Sequence, residues 1–153
     1  MKAEYINAFI KASTEVLNNF VTDKFSFGKP YIRNNPFPTK EIVIILGITG
    51  DIKGQAVFSF TEGMAKSIAS GMMMGMPVDE IDEMAKSALS ELGNMIMGNS
   101  ATLLFNAGVK IDITPPSLVK GTAIEITSAG METICVPLIS ELGNIEFDIG
   151  LKK

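Results

Sequence analysis

Histidine and tryptophan are both absent from this 153-residue chain, and cysteine and arginine occur once each, as Cys135 and Arg33. Without histidine, the commonest general base and metal ligand is missing. A lone cysteine forms no internal disulfide, and its place in the apolar run ICVPL reads as a buried thiol. One arginine and a net charge of −4 leave no clustered basic surface for a phosphate backbone, so no nucleic-acid partner is expected. Long apolar runs are missing as well, and none approaches the roughly eighteen residues of a membrane helix. The N-terminal MKAEYINAFIKAS is amphipathic and lacks a signal peptide's apolar stretch, so a cytoplasmic location without membrane insertion is the expectation. Any chemistry falls to carboxylates, amides and hydroxyls.

What is present is enough for a packed core. An apolar content of 46% over 153 residues fits one domain, residues 1–153. Tyr5, Ile6, Phe9, Ile10, Ser13, Val16, Leu17 and Phe20 recur at helical spacing over 3–20. The proline-containing segment 28–39 interrupts regular structure. Residues 41–49 and 54–60 read as strands joined by a turn at Gly50–Gly54. Thr61 is placed to cap a short helix reaching about Met73. A second long helix is expected from about Asp79 to Asn106, about 40 Å in length. Beyond Pro115-Pro116, residues 121–127 and 131–138 read as a hairpin about Ser128-Ala129-Gly130, followed by a last strand at 144–149. Helices on an antiparallel sheet make this an α+β fold, and the repeated helix-then-hairpin order hints at internal duplication. A free sheet edge would be available for dimerisation.

On the long helix, Ser87, Glu91, Asn94 and Gly98 are spaced by four, three and four residues, which puts them along one side. The spacing alone also describes an ordinary solvated face. Chemically, Glu91 can accept hydrogen bonds or pair with a lysine, and the Asn94 amide both donates and accepts. An amide is a poor base. It can orient a water for in-line attack on a bond that is already reactive, such as an acyl phosphate. Gly98, costly inside a helix, would permit close approach of a partner.

The stretches SALSELGNMIMGN (87–99), DITPP (112–116) and IILGITGDIKGQAVFSF (44–60) together resemble the CheC/CheX/FliY family of chemotaxis phosphatases, and the similarity runs over nearly the whole chain. The family pattern of Ser or Asp, three residues, Glu, two residues, Asn is matched by Ser87, Glu91 and Asn94. The resemblance implies a phosphatase acting on the phospho-aspartate of a CheY-like response regulator. Asn94 would position the hydrolytic water, Glu91 would engage the regulator's active-site lysine, and Ser87 and Gly98 would lie in the contact. It also implies that the regulator brings the Mg²⁺, that this chain alone binds no cofactor or metal, and that the protein forms a homodimer. Some family members carry two motifs. Here Glu15 and Asn18 repeat the Glu-x-x-Asn spacing, but Lys11 stands at the first motif position.

Other features have plainer readings. Met72, Met73, Met74 and Met76 suit core or dimer packing better than a peptide groove. Asp112 suits turn capping or support of the long helix, and the acidic Asp79–Glu83 stretch suits a first helical turn. A noncatalytic adaptor or flagellar interaction module on the same fold is the rival function, distinguished by exposed hydrophobic dimer edges with a buried or occluded Asn94. A small-molecule binding domain would require an enclosed pocket.

Overall fold

The computed structural model describes residues 2–22 and 24–152. Its first helix, α1 (Ala3–Phe20), buries Ile6, Phe9, Ile10, Val16 and Leu17 along the stripe that the sequence marks. Three short strands follow, β1 (Ser26–Phe27), β2 (Tyr31–Arg33) and β3 (Phe37–Pro38), so the proline-containing segment is partly regular. The hairpin of β4 (Ile42–Gly50) and β5 (Gly54–Phe60) turns where glycines were expected to turn it. Gly50 has φ 108, and a Cβ there would lie 2.6 Å from the Lys110 carbonyl oxygen, so glycine is required twice over. Helix α2 (Glu62–Met72) is capped by Thr61, whose hydroxyl accepts from the Met64 amide at 3.1 Å. Helix α3 (Glu83–Asn106) starts a few residues later than expected, because Asp82 caps it through the Ala85 amide at 2.9 Å.

The second half corrects the sequence reading. Strands β6 (Ile111–Ile113) and β7 (Ser117–Lys120) both pair with β4, on either side of Pro115-Pro116. The hairpin expected from 121–127 and 131–138 does not form. Instead β8 (Glu125–Ile126) pairs with β3, and β9 (Met131–Ser140) pairs with β10 (Gly143–Lys152) through a turn at Glu141-Leu142. One edge of β9 is held by β10 over its full length, and the other is taken by β1 and β2. No edge remains for 121–127.

The main sheet has eight strands in the order β1-β9-β10-β5-β4-β6, with β2 beside β1 on β9 and β7 beside β6 on β4. This order is an internal two-fold. The equivalent strands β5 and β10 pair antiparallel at the centre, their hairpin partners β4 and β9 flank them, and each half lends its short strands to the other half's edge. The equivalent β3 and β8 also pair with one another. Phe58 and Phe147 face each other across the central pair and stack at 4.3 Å. The three helices cover this face, with Phe9 of α1 edge-on to Phe147 at 6.2 Å. The α+β fold and its pseudo-duplication therefore stand as expected.

The opposite sheet face carries a smaller buried layer under the β3–β8 ribbon. Phe37, Val57, Cys135 and Asp148 are nearly inaccessible there. Arg33 reaches in, donating from Nε to Asp148 Oδ1 at 3.0 Å and from its second nitrogen to Glu146, and stacks over the Phe37 ring. The Cys135 thiol and the two carboxylates lie within 4.8 Å of one another, a ligand-like grouping in which the guanidinium already supplies the cation. No helix among the described residues is long and apolar enough to cross a membrane.

Candidate functional site

Helix α3 positions the candidate site by dividing its faces. Ala85, Leu89, Leu92, Gly93, Ile96 and Leu104 are buried. At Gly93 a Cβ would lie 3.2 Å from both Ile44 Cγ2 and Leu46 Cδ1, so glycine lets the helix settle close on β4 at the level of the site. The other face carries Ser87, Glu91, Asn94 and Gly98, all exposed. At 3.6 residues per turn these four fall within an arc of about 60°. A Cβ at Gly98 would meet nothing within 4 Å, which leaves open space beside Asn94.

Among the described residues, no hydrogen bond or ion pair engages the side chains of Ser87, Glu91 or Asn94. Glu91 and Asn94 thus present a carboxylate and an amide side by side on a rigid helix with their bonding capacity unspent. The equivalent pair on α1 differs. Asn18 is half-buried, its Nδ2 donating to the Phe25 carbonyl at 3.2 Å and its Oδ1 accepting from the Phe25 amide at 2.7 Å. Its amide ties the end of α1 to the following chain, while Glu15 alone is exposed.

The DITPP segment is tied to β4 through Thr114 and not through the Asp112 side chain. Thr114 Oγ1 accepts from the Gly47 amide at 2.7 Å, and the Thr114 amide donates to the Gly47 carbonyl at 3.1 Å. Asp112 is exposed on β6. The methionine cluster is also divided. Met72 packs against the core, whereas Met74 and Met76 are 97% and 54% exposed, so core packing accounts for only part of it. The Asp79–Glu83 stretch does supply a cap and a first turn, as its composition suggested.

Residues 42–139 match the family model described as "Chemotaxis phosphatase CheX". The chain belongs to the CheX family of chemotaxis phosphatases. A curated CheX from Thermotoga maritima, "CheY-P phosphatase CheX", is 36% identical over 99% of this chain and 96% of its own length. Among solved structures, a CheC-like superfamily protein from Shewanella sp. PV-4 covers 100% of both chains with a TM-score of 0.90 and 25% identity. The CheX of a CheX–CheY–BeF₃–Mg²⁺ complex from Borrelia burgdorferi covers 97% of this chain and 98% of its own, with a TM-score of 0.84 and 29% identity. The CheX family was legible in the Ser87–Glu91–Asn94 stripe and its flanking segments. The structural role of Asn18 was not, because its partner is a backbone seven residues away with no sequence signal of its own.

Proposed function

We propose that this protein accelerates hydrolysis of the phospho-aspartate of a CheY-like receiver domain, using Asn94 and Glu91. The observation that carries the reading is the contrast between two helix amides. Asn18 is spent inside the fold, whereas Asn94 is exposed, unbonded and adjacent to an exposed carboxylate. Of the two features that together would favour a noncatalytic adaptor, exposed apolar edges are present at Phe27 and Ile32, but a buried Asn94 is not. The Thermotoga relative's description as a CheY-P phosphatase and the Borrelia complex with CheY support the same choice of partner.

In this reading the receiver contributes the phospho-aspartate and Mg²⁺, and this chain contributes geometry. The Asn94 carboxamide holds a water in line with the acyl phosphorus–oxygen bond. The water oxygen bonds to phosphorus, the aspartate carboxylate leaves with the electron pair, and the inorganic phosphate retains the water's protons. No strong base is required because the acyl phosphate is already activated. Glu91 pairs with a receiver lysine and fixes the approach of Asn94. Ser87 and Gly98, on either side along the helix, lie within the contact. The protein acts as a homodimer joined at the β1–β2 edge of the sheet, where Phe27 and Ile32 are 56% and 68% exposed.

Phosphate release from phosphorylated receiver and Mg²⁺, followed against spontaneous decay, tests the activity. Asn94→Ala should lower the turnover rate on the order of 100-fold with the fold intact, since only water positioning is lost. Glu91→Ala should chiefly raise KM. Wild-type protein that leaves the decay rate of several receivers unchanged would reject the enzymatic reading.

A further inference from the structure

Between the end of α2 and the start of α3 a cleft of about 220 Å³ is lined by Met73, Met76, Asp79, Glu80, Asp82 and Met84. Two of its methionines are far from buried, Met76 at 54% and Met84 at 60% exposed. Next to it Met74 is 97% exposed and sits in the left-handed region at φ 60, where a side chain is strained and here gains no burial in return. Exposed, unbranched methionines at a cleft are suited to an adaptable protein contact.

The cleft is continuous with the Glu91–Asn94 stripe. Met84 is the shared residue: it lines the cleft, and on α3 it lies within an arc of about 80° with Ser87, Glu91, Asn94 and Gly98. Along the helix axis Met84 is about 13 Å from the midpoint of Glu91 and Asn94, whereas Phe105, at the other end of the same face, is about 19 Å away. A standard interface buries about 800 Å² per partner, a disc of about 16 Å radius. A domain centred on Glu91 and Asn94 therefore covers Met84 and the mouth of the cleft and stops short of Phe105. Charge adds a second constraint. Asp79, Glu80 and Asp82 line the cleft with no basic side chain among its lining residues, while Glu83, which follows, is paired with Lys86 at 3.3 Å and adds nothing to that charge.

We infer that this acidic, methionine-lined cleft is the recognition part of the receiver-docking surface, taking an apolar side chain flanked by lysine or arginine on the receiver beside its phosphorylated site. The inference rests on the phosphatase reading and adds where selectivity between receivers is set. The cleft contributes to binding and leaves the chemistry to Asn94, so its variants move KM and not kcat.

The test measures phosphate release and, separately, binding of the receiver activated with BeF₃⁻ and Mg²⁺. Met76→Ser with Met84→Ser should raise KM and Kd about tenfold with kcat unchanged, as loss of an apolar anchor does. Asp79→Asn with Glu80→Gln should weaken binding about threefold and flatten its salt dependence. Phe105→Ser should leave both constants unchanged. Unaltered KM and Kd in the methionine pair and the acidic pair, with Asn94→Ala still inactive, would overturn the cleft and keep the phosphatase. Loss of dimer in the methionine pair, seen by light scattering with KM unchanged, would assign the cleft to a second copy of this chain and also overturn it. Wild-type protein that neither binds receiver nor releases phosphate would remove both readings together.

Discussion

At the scale of single residues, what matters is whether a polar group is spent or free. Asn18 and Asn94 occupy comparable helices of a duplicated fold, and their shared Glu-x-x-Asn spacing makes them look alike in the sequence. The sequence separates them only at the first motif position, Lys11 against Ser87, and the structure does so through Phe25, whose backbone takes up the Asn18 amide. Cys135 is the opposite case: its neighbours in sequence already announce burial, and the structure adds a consequence. Burial and then the Asp148 charge push its thiol up to about 12, from 9.0. Tyr31 moves the same way, raised to about 12 chiefly by burial and then by the neighbouring Cys135 thiol. A group whose pKa is higher folded than unfolded favours the fold while both states hold the proton. That contribution is lost as pH climbs from the unfolded value toward the folded one. The urea midpoint should therefore hold steady up to about pH 9 and fall between about pH 9 and 12, with a shallower fall in Cys135→Ala. Equal pH slopes in the two proteins would show that this thiol is not the titrating group.

At the scale of elements, legibility followed how local each signal is. Helices α1 and α3, and the β4–β5 hairpin, were readable because apolar periodicity, a capping residue and turn glycines all lie within the element itself. The misplaced hairpin shows the limit. Ser128-Ala129-Gly130 does turn, with Gly130 at φ 73 and the Met131 amide donating to the Ser128 carbonyl at 3.3 Å, yet the segments it joins do not pair, because β9 gains a ten-residue ladder with β10. Strand β7 was missed because its partner is β4, some seventy residues earlier, and nothing local marks it. Within α3 the two glycines of the site region separate structural from binding roles. Gly93 has packed neighbours at 3.2 Å, while Gly98 has none within 4 Å. Gly98→Ala should accordingly stabilise the protein by about 0.5–1 kcal/mol through helix propensity alone. If Gly98 lies in the receiver contact, the same methyl should weaken docking. A variant with a higher Tm and a higher KM is the expected result. A higher Tm with KM unchanged would place Gly98 outside the contact.

At the scale of the whole molecule, the internal two-fold explains how a chain without histidine arranges its surfaces. Two half-sheets share one core through Phe58 and Phe147, and each half closes the other's edge with short strands. The helix layer presents the Asn94 stripe, while the β1–β2 edge presents an apolar patch on each face of the sheet, Phe27 and Ile32 on one and Tyr31 and Ile139 on the other. Such a patch on a sheet edge favours association with a second copy. Phe27→Asp with Ile32→Asp should convert the proposed dimer to monomer in light scattering. Ile32 is 68% exposed, so loss of its burial in the protomer is a small cost, and the variant should remain folded. Because the Asn94 stripe lies on α3 and not on this edge, phosphate release per chain should be retained. A monomeric variant that has lost turnover would instead mean that dimerisation helps to shape the docking face, and wild-type protein that is already monomeric would leave the patch without a second copy to cover it.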